Sequence, residues 1–103
     1  MSGFKGTPGP WFVTGSMTKY IEARINGGLI QEVAACGPTD ADGGYGDQQQ
    51  ANANLIAAAP DLLEALMSAR KELEMYEGEL TGEVYNNPAI NAAINKALGV
   101  SDE

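Results

Sequence analysis

The sequence predicts an α+β fold, an N-terminal antiparallel sheet followed by helices. Three observations carry it. Ile21, Ala23 and Ile25 alternate with Tyr20, Glu22 and Arg24, the period of two that marks a half-buried strand. Asn26-Gly27-Gly28 then supplies a hairpin turn, Asn-Gly being the strongest short-range signal because a type I′ turn needs φ > 0 at both central positions. Later, Leu62, Leu66, Ala69, Leu73, Tyr76 and Leu80 recur at alternating steps of four and three, one stripe of a helix.

Taken in order, Pro8-Gly9-Pro10 is turn chemistry that delivers Trp11 into an extended segment. Strands are expected near 11–14, 18–26 and 29–36, the last two forming the hairpin, with Ile30 near the turn and Val33 toward the core. The glycine-rich stretch 37–46, GPTDADGGYG, reads as a solvated connection or as a lid with Tyr45 as its contact residue. Asp40 and Asp42 open like a calcium loop, but the twelfth position is Ala51 and supplies no bidentate carboxylate. No metal is expected.

Asp47 suits a helix cap. A first helix is expected near 47–59, with Ala51, Leu55 and Ala58 on its apolar face. Pro60 removes an amide donor and crowds the preceding turn, so a kink or break is expected there. A second helix follows near 61–77, with Gly78 as its stop. A third is expected near 88–98, introduced by Asn86-Asn87-Pro88, with Ile90, Ile94, Ala97 and Leu98 inward, Asn91 and Asn95 on the opposite side, and Gly99 at its end.

Composition bounds the function. At 103 residues the chain predicts one domain, 1–103. Six basic against fourteen acidic residues give a net charge of −8, which argues against binding a DNA or RNA duplex through its phosphates. The absence of histidine removes the commonest general base and metal ligand. One cysteine, Cys36, makes no internal disulfide, and no run reaches the ~20 apolar residues of a membrane span. A cytoplasmic protein is expected, without cofactor, catalytic residue or membrane attachment.

Binding groups are present instead. Trp11, Tyr20, Arg24 and Tyr45 bring aromatic faces and a guanidinium, and Asn52 and Asn54 bring amide edges, a set suited to a nucleotide-like ligand. Each also has a purely structural reading, Trp11 above all as a core anchor. The stripe through Leu62, Leu66, Leu73 and Tyr76 is the expected oligomer interface. Glu72, Glu74, Glu77, Glu79 and Glu83 form either a solvated face or a surface for a basic partner.

Two segments carry a family resemblance. Thr7-Pro8-Gly9-Pro10-Trp11 and Ala51-Asn52-Ala53-Asn54-Leu55-Ile56-Ala57-Ala58-Ala59-Pro60-Asp61-Leu62-Leu63-Glu64-Ala65-Leu66 resemble a group of small phage and prophage proteins with TPGPW followed by NAxLIAAAP[DE]LLxAL. The resemblance implies a viral accessory protein acting in the bacterial host cell, and brings no catalytic residues. The plan of strands followed by a helix with an Asn-Ala step is also similar to phage sponge proteins that counter Thoeris and cyclic-oligonucleotide (CBASS) defences. That likeness is architectural and carries over no residue, and the strand half here holds a single arginine. It implies a homo-oligomeric anti-defence protein that sequesters a nucleotide second messenger, such as a cyclic nucleotide or an ADP-ribose-like molecule, without cleaving it. The alternatives are an acidic interaction module that inhibits a host protein, and a structural or assembly accessory.

Overall fold

The computed structural model describes residues 4–37, 47–82 and 86–100, with the side chains of 78–81 outside that description. The fold is α+β. Three strands, β1 (Trp11–Thr14), β2 (Lys19–Ile25) and β3 (Leu29–Cys36), form an antiparallel sheet in the order β1-β2-β3, followed by α1 (Asp47–Thr81) and α2 (Pro88–Leu98). The chain divides into two compact units, Gly6–Asp61 and Leu62–Glu103 with Met1–Lys5. Helix α1 contributes to both.

In the strand unit, cross-strand pairs fix which residues share a face. Trp11 pairs with Ala23 and Val13 with Ile21, whereas Phe12 pairs with Glu22 and Thr14 with Tyr20. Ile21 and Ala23 are fully buried, so their side of the sheet is the covered one. A bulge at Ile21/Glu22 shifts the pairing of β2 with β3 by one residue, so that Ala34 pairs with Ile21 but Glu32 with Glu22. The β2–β3 hairpin turns where it is expected, but not as a type I′ turn with Asn26 and Gly27 as its central pair. Gly27 and Gly28 hold its positive φ angles (74° and 83°), while Asn26 does not.

Gly15 closes the β1–β2 connection with φ at +89°. A β-carbon there would run into the Thr18 carbonyl oxygen and reach the Tyr20 ring at 3.0 Å. Gly15→Ala is therefore expected to cost about 2 kcal/mol. Urea denaturation checks this, and Gly37→Ala, with nothing within 4 Å of its β-carbon, serves as the control. Equal stability of the two variants would sink the claim.

The structure corrects two readings of α1. First, one helix runs through Pro60, where a kink or break between helices near 47–59 and 61–77 is expected, and it continues past Gly78 to Thr81. Pro60 is buried, and its ring carbons lie 2.9 and 3.3 Å from where a side chain at position 9 would begin. Packing against Gly9 offsets the one ladder bond that a proline forfeits. Gly82, at φ +74°, follows the last turn instead. Second, the covered row in the strand unit is Gln49, Ala53 and Pro60, all buried, with Ile56 half-buried. The expected face does not hold, because Ala51 and Leu55 are exposed.

The row begins with a side chain that ties the unit together. Gln49 Nε2 donates to the Met17 carbonyl at 2.6 Å and to the Cys36 carbonyl at 2.8 Å. Met17 lies in the β1–β2 connection and Cys36 ends β3. One amide thus satisfies two main-chain acceptors at the margin of the sheet.

In the helical unit, α2 has the expected bounds. Asn87 caps it by accepting from the Ile90 amide at 3.1 Å, Pro88 occupies the first turn, and Gly99 ends it in the left-handed conformation. The Val100 amide donates to the Asn95 carbonyl at 2.9 Å, closing the C-terminal turn. Ile94 is buried, and Ile90 and Leu98 are half-buried. Ala97 is exposed, and Asn91 turns toward α1, not away from it as its spacing suggests. Its Oδ1 accepts from Arg70 Nη1 at 3.2 Å, and its Nδ2 donates to Asn86 at 3.0 Å.

Candidate functional site

The six residues expected to bind a ligand do not all come together. Trp11 shares the covered face of the sheet with Ile21 and Ala23, and its indole Nε1 donates to the Thr7 carbonyl at 3.1 Å. Its polar edge is therefore engaged within the chain. Tyr20 and Arg24 lie on the opposite, open face, where the Arg24 guanidinium carbon sits 5.9 Å from the centroid of Phe12. Such a contact already occupies one face of the guanidinium. Asn52 and Asn54 are exposed on α1, on either side of buried Ala53, and Asn54 Oδ1 accepts from Gln50 Nε2 at 2.9 Å. Tyr45, and the lid assigned to its loop, lie outside the described residues.

The oligomer stripe has a different outcome. In the helical unit, Leu63, Leu66, Met67 and Arg70 are half-buried, and this is the side of α1 that reaches Asn91. Leu62, Leu73 and Tyr76 are 53%, 41% and 61% exposed, and Met75 is 61% exposed. Only Leu66 of the four expected interface residues is partly covered. Ala69, Glu72, Leu73 and Tyr76 line a surface groove of about 490 Å³. A second, amide-lined cleft of about 380 Å³ lies at α2 among Asn86, Pro88, Asn91, Ala92 and Asn95.

Sequence reasoning missed Gln49, whose burial organises the margin of the sheet. The signal was its spacing from Ala53, Ile56 and Pro60, the four-three-four steps of a helical row. It did not stand out because glutamine reads as solvent-facing and Gln48 and Gln50 flank it.

Residues 1–101 match the family described as Salmonella phage P22 protein Y8K6. The chain belongs to this family. Membership in the Y8K6 family makes it a phage protein, the coarser part of what the resemblance implies. No curated protein and no solved structure matches the chain. Among the described residues no helix is long and apolar enough to cross a membrane.

Proposed function

We propose that this phage protein is a non-enzymatic accessory protein that acts by binding another protein through the open side of α1 in its helical unit. The observation that supports this most is the row of Leu62, Leu73 and Tyr76, exposed on a helix whose other side is covered. Apolar side chains left bare in a row, not scattered singly, mark interaction surfaces. The test places a photo-crosslinking residue at Tyr76 in phage-infected cells, with Leu29, 65% exposed on β3, as the control position. A single adduct identified by mass spectrometry from position 76, lost when Leu73→Lys is added, is the expected result. Adducts from position 29 alone, or none at 76, would remove the reading.

Sequestration of a nucleotide second messenger is the second reading. It is favoured by Tyr20 and Arg24, which share the open face of β2 beside Phe12. A stacking ring and a guanidinium on one face suit a base and a phosphate. A thermal-shift screen of cyclic di- and trinucleotides and cyclic ADP-ribose isomers tests it. A ligand at 100 times its Kd stabilises by about 2.7 kcal/mol, which a melting curve resolves. The expected hit disappears in both Tyr20→Ala and Arg24→Ala, and the ligand is recovered intact on heating. Hits unaffected by either change, or turnover of the ligand, would overturn this reading.

A further inference from the structure

We infer that Asn26-Gly27, at the tip of the β2–β3 hairpin, is a self-modifying site: Asn26 converts through a succinimide to isoaspartate, and the product loosens the hairpin that it closes. The inference concerns the strand unit and stands apart from the α1 surface. Three observations single out this asparagine. Asn26 is exposed, and its side-chain amide has no hydrogen-bond partner among the described residues. Glycine follows it, and beyond the chain neighbours nothing lies within 4 Å of where a β-carbon at 27 would stand, so the Gly27 nitrogen is open to approach. Asn26–Gly28 forms one turn of 3-10 helix after Ile25, which offers no capping side chain. The first amides of such a turn have no partner within it, and that of Gly27 is one of them.

The reaction needs no outside group but water. Rotation about the Cα–C bond of Asn26 brings the Gly27 nitrogen onto the side-chain Cγ. A bond forms between these two atoms as the Cγ–Nδ2 bond breaks. The Gly27 amide proton leaves with Nδ2 as ammonia, and a five-membered succinimide remains. Water then adds at either ring carbonyl. Opening on one side gives aspartate, and on the other isoaspartate, whose main chain runs through Cβ and Cγ. No atom is oxidised or reduced. Gly27 and Gly28 accept the backbone change that the rotation needs, since neither carries a β-carbon.

The other six asparagines are held. Asn52, Asn54, Asn91 and Asn95 lie inside α1 and α2, where the same rotation breaks ladder bonds. Asn87 precedes a proline nitrogen with no proton to lose, and its side chain caps α2. Asn86 precedes a bulkier residue, and its Oδ1 accepts from Asn91 Nδ2. At the hairpin, Ile25 pairs with Leu29, so only Asn26–Gly28 connects the two strands. Isoaspartate lengthens that connection in the main chain, where loop length sets the register of the strands.

Ageing the full chain for days at physiological temperature, then locating new acids by mass spectrometry with fragmentation, tests this. Residue 26 is expected to gain the acid first, as aspartate and isoaspartate, with the other asparagines unchanged. The isoaspartate form, separated by chromatography, should melt about 4–8 °C below the parent. Freshly prepared Asn26→Asp carries the charge on an ordinary main chain and should melt with the parent. Aged Asn26→Gln should gain no acid at 26 and keep its melting curve, because its longer side chain closes a larger, less favourable ring.

Conversion first at another asparagine overturns the site, as does an Asn26 that stays intact in the folded chain while it converts in urea. Isoaspartate at 26 with an unchanged melting curve overturns the loosening of the hairpin, as does fresh Asn26→Asp melting as low as the isoaspartate form. Aged Asn26→Gln melting that low traces the loss to another residue and overturns it too.

Discussion

Gln49→Glu is expected to destabilise the strand unit by about 3–5 kcal/mol at neutral pH, the range for a buried charge left without a partner. The parent side chain is 2% exposed, and its Nε2 lies 2.6 Å from the Met17 carbonyl oxygen and 2.8 Å from that of Cys36. Two acceptors require a donor between them, which fixes the amide's orientation. A carboxylate of the same shape offers no hydrogen and points negative charge at two negative dipoles. Gln49→Ala removes the donor without adding charge, and is expected to cost about 2 kcal/mol for the carbonyls left unsatisfied. Acidification should separate the two variants. The folded state of the glutamate variant disfavours the ionised form, so it takes up a proton more readily than the unfolded chain does. Its stability therefore rises as pH falls and is lost as pH rises. Urea denaturation of both variants at mildly acidic and neutral pH measures this. A glutamate variant as stable as the parent at neutral pH would show that the amide does not hold these carbonyls.

Truncating Ile21 to alanine should cost about 3 kcal/mol, which lowers the melting temperature by about 12–24 °C in a domain of this size. Ile21 is fully buried, in the central strand between Val13 of β1 and Ala34 of β3. Both cross-strand neighbours are small or β-branched and already in register, and neither can extend to fill the space of three lost carbons. The bulge beside Ile21 makes collapse harder, since a change of pairing there would move residues of β3 to the other face. Ile30→Ala is the internal comparison. It removes the same atoms from β3 where the side chain is 48% exposed, and should cost less than about 1 kcal/mol. Calorimetry of the two variants decides the matter. Equal shifts would mean that the covered face of the sheet is not the centre of this unit.

The parts of the fold that depend on local chemistry were legible in the sequence. The alternation in β2, the paired glycines at 27 and 28, and the Asn87-Pro88 start with Gly99 at the end of α2 all act within a few residues. The parts that depend on distant packing were not. Pro60 breaks a helix by every local rule, but a glycine at position 9 leaves room for its ring, and nothing near Pro60 announces that. The covered row of α1 was misassigned for a related reason. Alanine at 51, 53, 57, 58 and 59 gives every face of the helix a similar hydropathy, so the sequence sets no phase there. The candidate site shows the same division. The regular helical stripe through Leu62, Leu73 and Tyr76 was legible, but the spacing alone does not say which of its members are covered. The separation of Trp11 from Tyr20 and Arg24 follows from the pairing of β1 with β2, and a residue list cannot show which strand residues end up opposite one another.

The Gln49 amide also has a consequence for the order in which the unit assembles. The two hairpins close between residues close in sequence, so the sheet has little chain entropy to overcome before it forms. The amide reaches acceptors 32 and 13 residues away, and can engage only once the ends of the sheet are in place and α1 has wound. It therefore belongs to the last step. Substitutions at Gln49 should leave the refolding rate nearly unchanged and appear almost wholly as faster unfolding, while Ile21→Ala should slow refolding. The clasp that closes the sheet sets how long the folded state lasts, and the central strand sets how fast it is reached.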